Sequence, residues 1–177
     1  LLHDVLIYDN RAANGNMNTI VADSGYIRLS DDKKYLLVTP LAQQREMAKR
    51  IAGHWTSGWG AEYNPDRKEA FSTLKIFASV QKALGWLSER EKKEPFKIAT
   101  TAKSHAGAQH WLTLKREILR RDHSPVFLFG TGWGLHDEVM EMADAVMTPI
   151  TGGCDGWNHL SVRSAVSITL DRFFGWR

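Results

Sequence analysis

The sequence predicts an α/β fold: a mostly parallel sheet with helices on both faces. Two observations carry this. From Tyr35 onward, strand-length apolar runs alternate regularly with amphipathic stretches at helical spacing, the pattern of strands joined by crossover helices. The most apolar strand, 126–129, then runs into three glycines at alternating positions, as a buried strand does when it turns sharply at its end.

The elements follow in order. Residues 1–34 read as strands and turns: 5–8 is a short apolar run, Asn14-Gly15-Asn16 is a turn signal, and Asp31-Asp32-Lys33-Lys34 is another. No helix is predicted there, so the chain divides near Tyr35 into an atypical β-rich segment, 1–34, and an α/β domain, 35–177. Residues 35–39 form a strand stopped by Pro40. Leu41, Ala48, Ile51 and Trp55 recur on one helix face, with Gln43, Gln44, Arg45 and Lys49 outside. A polar and aromatic loop spans 56–67, and 74–78 is a strand. Ser79 is a plausible N-cap for a helix burying Val80, Ala83, Leu84 and Leu87. Pro95 precedes the strand 96–100, and a basic helix around 114–121 leads through Pro125 to 126–129. A glycine turn, a helix near 137–145, a short strand at 146–148, a loop and a final helix from about 158 to 174 complete the chain.

With 43% hydrophobic and 24% charged residues, the 177-residue chain has the composition of one soluble domain, not of a disordered or fibrous segment. No apolar run approaches the ~18–20 residues that cross a bilayer, and 1–10 lacks a basic stretch leading into an apolar one. A soluble, unexported protein without a membrane partner is expected. The single cysteine, Cys154, makes no internal disulfide and is a poor metal ligand by itself, which fits a cytoplasmic location. The net charge of +3 and the pI near 9.0 permit nucleic acid as a partner without demanding it.

Two stretches carry chemistry. In FLFGTGWGL, 127–135, glycines at 130, 132 and 134 let backbone approach a ligand closely; a plain tight turn explains an isolated cluster equally well. A dinucleotide fingerprint does not fit, because its third glycine would fall on Leu135. The second stretch runs from Pro149-Ile150-Thr151-Gly152-Gly153 through Asp155-Gly156-Trp157 to Asn158-His159-Leu160-Ser161-Val162-Arg163, ahead of an apolar helix. Taken singly, Asn158 reads as an N-cap and His159 as a structural histidine.

Together they match one family. Strand, GTGWGL, acidic helix, strand, Pro-Ile, glycine loop, NHLSVRSA and helix, in that order, resemble the C-terminal half of SPOUT methyltransferases. More narrowly, the chain is similar to the bacterial RNA-methyltransferase-like proteins near the tRNA guanine-N1 methyltransferase. The resemblance extends back through Ala99-Thr100-Thr101-Ala102, the NPDR loop at 64–67 and VTPLAQQ at 38–44, and covers about four fifths of the chain. It implies a C-terminal trefoil knot, S-adenosylmethionine as cofactor, a base or ribose of tRNA or rRNA as substrate, and a homodimer with an active site between two knots. It implies no metal.

Carried over by residue, the resemblance gives three cofactor-binding stretches: Thr100, Thr101 and Ala102; Phe129, Gly130, Thr131, Gly132, Trp133, Gly134 and Leu135; and Pro149, Ile150, Thr151 and Gly152 with Asn158, Leu160 and Ser161. Their contacts are expected to be largely backbone, with Leu135, Ile150 and Leu160 as apolar walls. Asn158 and His159 are the expected catalytic pair. For the nucleic acid, 54–68 combines aromatic faces, glycines and a cation, which points to Trp59, Tyr63, Asn64 and Arg67 for substrate binding. The alternative is a packed surface loop. Lys115, Arg116, Arg120 and Arg121 read as a solvated helix face.

The first 34 residues depart from the family. Members begin with a strand and a helix whose asparagine and arginine shape the pocket, and that helix has no counterpart before Tyr35; Asn10-Arg11 sits in a turn-like context. The stretch 19–39 resembles a β-strand segment of lipopolysaccharide-export permeases. Three alternatives are thus left: an S-adenosylmethionine-binding module without catalysis, a β-rich envelope fragment, and an enzyme using the glycine turn as a phosphate cradle.

Overall fold

The computed structural model describes residues 4–8, 34–92, 94–121, 124–152, 158 and 160–175. In chain order the strands are β1 (Asp4–Tyr8), β2 (Lys34–Val38), β3 (Leu74–Phe77), β4 (Phe96–Ala99), β5 (Pro125–Gly130) and β6 (Ala145–Val146). The helices are α1 (Ala42–Thr56), α2 (Trp59–Tyr63), α3 (Pro65–Ser72), α4 (Val80–Glu91), α5 (Trp111–Arg121), α6 (Asp137–Glu141) and α7 (Val162–Phe174). Among the described residues the strands form one sheet, β3-β2-β1-β5-β4-β6, and each strand pairing is parallel. All C-terminal strand ends therefore open on one rim of the sheet, and all N-terminal ends on the other.

Helices cover both faces, which is why β5 lacks polar alternation. Phe127 and Phe129 lie in one layer with Leu114 and Ile118 of α5 and Val166, Leu170 and Phe173 of α7. Val126 and Leu128 lie in the other, with Val80, Ala83 and Leu87 of α4 and Val139 of α6. These four β5 side chains are at most 1% exposed, and burial of such side chains stabilises a fold by roughly 1.5–3 kcal/mol each. Phe127 meets Phe173 edge-on, ring centroids 4.7 Å apart.

The apolar run at 5–8 forms β1, and β1 is central. It pairs with β2 on one side and β5 on the other, Asp4 in register with both Lys34 and Val126. The turn signal at 14–16 and the Asn10-Arg11 pair lie outside the described residues.

Four expectations need correction. The stretch 56–67, read as a loop, contains α2 and opens α3. Asn64 caps α3 by accepting from the Arg67 N–H at 2.9 Å, and Pro65 takes the first helical position, where its missing N–H costs nothing. The helix near 137–145 ends at Glu141, because the chain turns to join β4. There the Asp144 N–H donates to the Lys97 carbonyl at 2.8 Å, and the Asp144 carboxylate accepts from the Lys97 N–H at 2.7 Å and faces its Nζ at 2.8 Å. The strand expected at 146–148 is the two-residue Ala145–Val146, and the Thr148 N–H instead donates to the Gln109 carbonyl. The final helix begins at Val162 with Ser161 as its N-cap, accepting from the Ser164 N–H at 3.2 Å, so Asn158 is not the cap.

Candidate functional site

Strands β5, β4 and β6 are neighbours in the sheet, so the loops that leave their C-terminal ends emerge side by side. The open end of parallel strands is where α/β folds hold ligands, because backbone groups there are not consumed by the ladder. All three stretches carried over from the family fall on this rim.

The first loop leaves β4 at Thr100, whose N–H and hydroxyl both donate to the Leu128 carbonyl, at 3.0 and 2.8 Å. Thr101 accepts the Lys103 N–H at 3.0 Å, tightening the turn around Ala102. Further on, Gln109 bridges to the third loop: its N–H donates to the Val146 carbonyl at 2.8 Å, and its carbonyl accepts from Thr148 at 2.9 Å. Met147 donates to the Ala99 carbonyl at 2.9 Å. The loops after β4 and β6 are thus sewn together.

The second loop is the glycine bend after β5. Gly134 donates to the Thr131 carbonyl at 3.0 Å, closing a turn over Gly132 and Trp133. Gly132 and Gly134 have φ of +52° and +95°, which side-chain-bearing residues rarely adopt. Gly130 is glycine for another reason: a Cβ there would lie 2.3 Å from the Gly134 carbonyl carbon and 2.4 Å from the Leu135 nitrogen. The bend is folded back on its own strand end. Trp133 stands at its tip, 85% exposed, while Phe129 and Thr131 are buried and Leu135 packs against the α4 layer.

In the third loop Pro149 and Ile150 are half-buried and Thr151 and Gly152 exposed. The half-buried Asn158 donates from Nδ2 to the Ala102 carbonyl at 2.6 Å. It is therefore joined to the first loop. Leu160 is 43% exposed, which leaves Leu135 and Ile150 as the more enclosed of the three expected walls. His159 and Gly153 lie outside the described residues.

A cofactor with a flat base, a ribose and a sulfonium arm fits the residues present. The rim presents backbone from three adjacent strand ends, and among the described residues nothing lies within 4 Å of where a Cβ on Gly134 would stand, so a ligand can approach that backbone. Among the described residues no group of three or more His, Cys, Asp and Glu gathers as a metal site.

The expected substrate residues lie elsewhere. Trp59 and Tyr63 stack on each other, centroids 5.1 Å apart, on α2. Arg67 lies over the Trp55 ring at 4.4 Å, and the Asn64 side chain is engaged in capping. All four belong to the α1–α3 connection between β2 and β3, at the other side of the sheet from β6. The sequence reading missed Gln109 and Asp144, which join β6 to β4 and the loop after it: Gln109 sits in a segment without periodicity, and Asp144 falls in the stretch 137–145 read as helix, so nothing local marks either long-range partner.

The model of the SAM-dependent RNA methyltransferase family matches residues 27–175. The chain belongs to this family. A tRNA (guanine-N(1)-)-methyltransferase of Oleidesulfovibrio alaskensis is 37% identical over 141 residues, covering 80% of this chain and 32% of that protein. Its counterpart in Nitratidesulfovibrio vulgaris is 36% identical with the same coverage. The chain spans about a third of the length of these curated relatives. An uncharacterized protein of Aquifex aeolicus is 33% identical over 83% of this chain and 71% of its own length. Among solved structures, the SpoU methyltransferase AviRb of Streptomyces viridochromogenes, in complex with AdoMet, aligns over 98% of this chain and 57% of its own, with TM-score 0.53 and 12% identity. TrmJ of Z. mobilis aligns over 98% of this chain and 68% of its own, with TM-score 0.54 and 14% identity. These likenesses establish the α/β methyltransferase fold. Within the family frame, no described helix is long and apolar enough to cross a membrane.

Proposed function

We propose that this family member transfers a methyl group from S-adenosylmethionine to RNA at the rim formed by the β4, β5 and β6 loops. The observation that carries the proposal is the convergence of all three family loops on adjacent parallel strand ends, two of them sewn together by Gln109 and Asn158. When bound, the cofactor supplies a methyl group already activated by its sulfonium. The chain's residues then have to hold, orient and dehydrate. Thr100, Thr101, Ala102, Pro149, Thr151 and Gly152 offer backbone to the ligand, as do Gly130 to Gly134, while Leu135 and Ile150 supply apolar surface. Asn158, its amide nitrogen held by Ala102, and His159 are the polar groups assigned to the reacting centre, with Leu160 and Ser161 completing the third loop.

Two relatives named tRNA (guanine-N(1)-)-methyltransferase make tRNA the first substrate to assay. A cytoplasmic location goes with it. After β6, on the far side of β4, the chain returns as α7 to pack against β5 and α5, which supports a C-terminal trefoil knot. A homodimer completes this reading. Calorimetry with S-adenosylhomocysteine, followed by labelled-methyl transfer to bulk tRNA and rRNA, tests it. Micromolar binding with incorporated label is expected; binding with no label on any RNA would reduce the chain to a cofactor-binding module.

A further inference from the structure

We infer that the Trp59–Tyr63 stack on α2 is a second RNA contact, one that takes unpaired bases away from the site of methyl transfer. The inference rests on the RNA methyltransferase reading and adds a distinct surface to it. The two rings are 68% and 70% exposed and nearly parallel, with an interplanar angle of 17°. Stacked on each other, they still present aromatic face to solvent.

The arrangement is built. Gly60 and Ala61 are the buried residues of α2, and they seat the helix on the last turn of α1. A Cβ on Gly60 would come within 2.8 Å of both the His54 and Trp55 side chains, and one on Gly58 within 2.9 Å of the His54 carbonyl oxygen. Only glycines allow this approach. It turns the opposite face of α2 outward, and Trp59 and Tyr63, four residues apart, share that face. The first turn of α3, next along the chain, exposes Arg67 and Lys68 together with Asp66, and Glu62 is the acidic group on α2 itself. Aromatic faces flanked by cations are the chemistry that holds single-stranded bases whatever their identity.

Topology puts this surface far from the cofactor rim. Helix α1 starts just after the C-terminal end of β2 and, at 15 residues, runs about 22 Å. It therefore ends at the opposite rim, where the Tyr35 N–H donates to the Thr73 carbonyl at the entry to β3. Strands of this length separate the rims by about 15 Å, and the three strand spacings from β3 to β5 add about 14 Å sideways. Within one chain, the stack and the glycine bend are on the order of 20 Å apart. One nucleotide cannot touch both, so the stack engages a different part of the RNA from the base or ribose that receives the methyl.

The test compares the wild-type protein with the W59A/Y63A double variant on single-stranded poly(A), on a poly(A)·poly(U) duplex and on S-adenosylhomocysteine. Expected are binding of poly(A) weakened about tenfold or more in the variant, weak duplex binding that does not change, and unchanged cofactor affinity and melting temperature. Equal poly(A) binding by both proteins, or no poly(A) binding by the wild type, overturns the inference. So does a wild-type dimer that dissociates in the variant, which would assign the stack to an interface between copies. Failure of the underlying reading registers separately, as absence of S-adenosylhomocysteine binding by the wild type.

Discussion

The Asn158 side chain donates to the Ala102 carbonyl at 2.6 Å across 56 residues of chain. It fastens the loop after β6 to the loop after β4, a different task from starting the final helix. Asn158→Ala leaves that carbonyl without this donor, at a cost of about 1 kcal/mol. Asn158→Asp sets a carboxylate against the carbonyl oxygen and costs more. Affinity for S-adenosylhomocysteine is expected to fall several-fold in the first variant and further in the second, read by calorimetry. Equal affinity in all three proteins would remove Asn158 from the site.

The glycines of the bend are predicted to fail for different reasons. Gly130→Ala forces a methyl into the backbone of Gly134 and Leu135, a clash that no side-chain rotation relieves; overpacking of this kind costs roughly 1–3 kcal/mol. Gly134→Ala meets none of the described residues but must hold φ near +95°, which also strains an L residue by ~1–2 kcal/mol. Thermal melts should show both variants destabilised, and Gly130→Ala should also lose ligand binding because the bend cannot fold back. A Gly130→Ala protein with unaltered melting and binding would mean the bend is looser than described.

Trp133 gives a contrasting outcome. Its side chain is 85% exposed at the tip of the same bend, so Trp133→Ala is expected to change stability by less than ~0.5 kcal/mol and to leave S-adenosylhomocysteine affinity within about twofold. The bend's contribution to the cofactor is then a backbone one. A tenfold loss of affinity would instead show the indole folding over the ligand.

Tyr35 carries a pH dependence. Burial of the phenol against the α5–α7 layer raises its pKa above 10.0, because the fold disfavours the anion. The unfolded chain releases this proton first as pH rises, so the stabilisation is fully present below about pH 10 and is lost on passing up through the folded-state pKa. Relative to Tyr35→Phe, the wild type should lose melting temperature between pH 9 and pH 11. Parallel curves for the two proteins would contradict the assignment.

Much of the α/β pattern was legible in residues whose partners are close in sequence. Ser79 caps α4, accepting from the Lys82 N–H at 3.3 Å, as its place before Val80 suggested. The unbroken apolar run of β5 signalled a buried strand. What stayed hidden depends on distant partners or competing signals. Asn158 follows a glycine-rich loop and precedes an apolar helix, so the local rule favours a cap; its actual partner is 56 residues away. The glycines and aromatic rings of 58–63 look like a loop until the close seating of Gly60 on His54 and Trp55 is known. Nor does composition separate the aromatic segment from the glycine bend, since that follows from strand order and from where α1 ends.

The position of β1 bears on how this domain is to be cut for expression. A boundary at Tyr35 does not trim a border strand. It withdraws the ribbon between β2 and β5, leaving a two-strand fragment and a three-strand fragment that share no ladder and face each other with open hydrogen-bonding groups. Such a product would be prone to recruit a foreign strand into the gap, so a workable subcloned version has to carry Asp4–Tyr8 along.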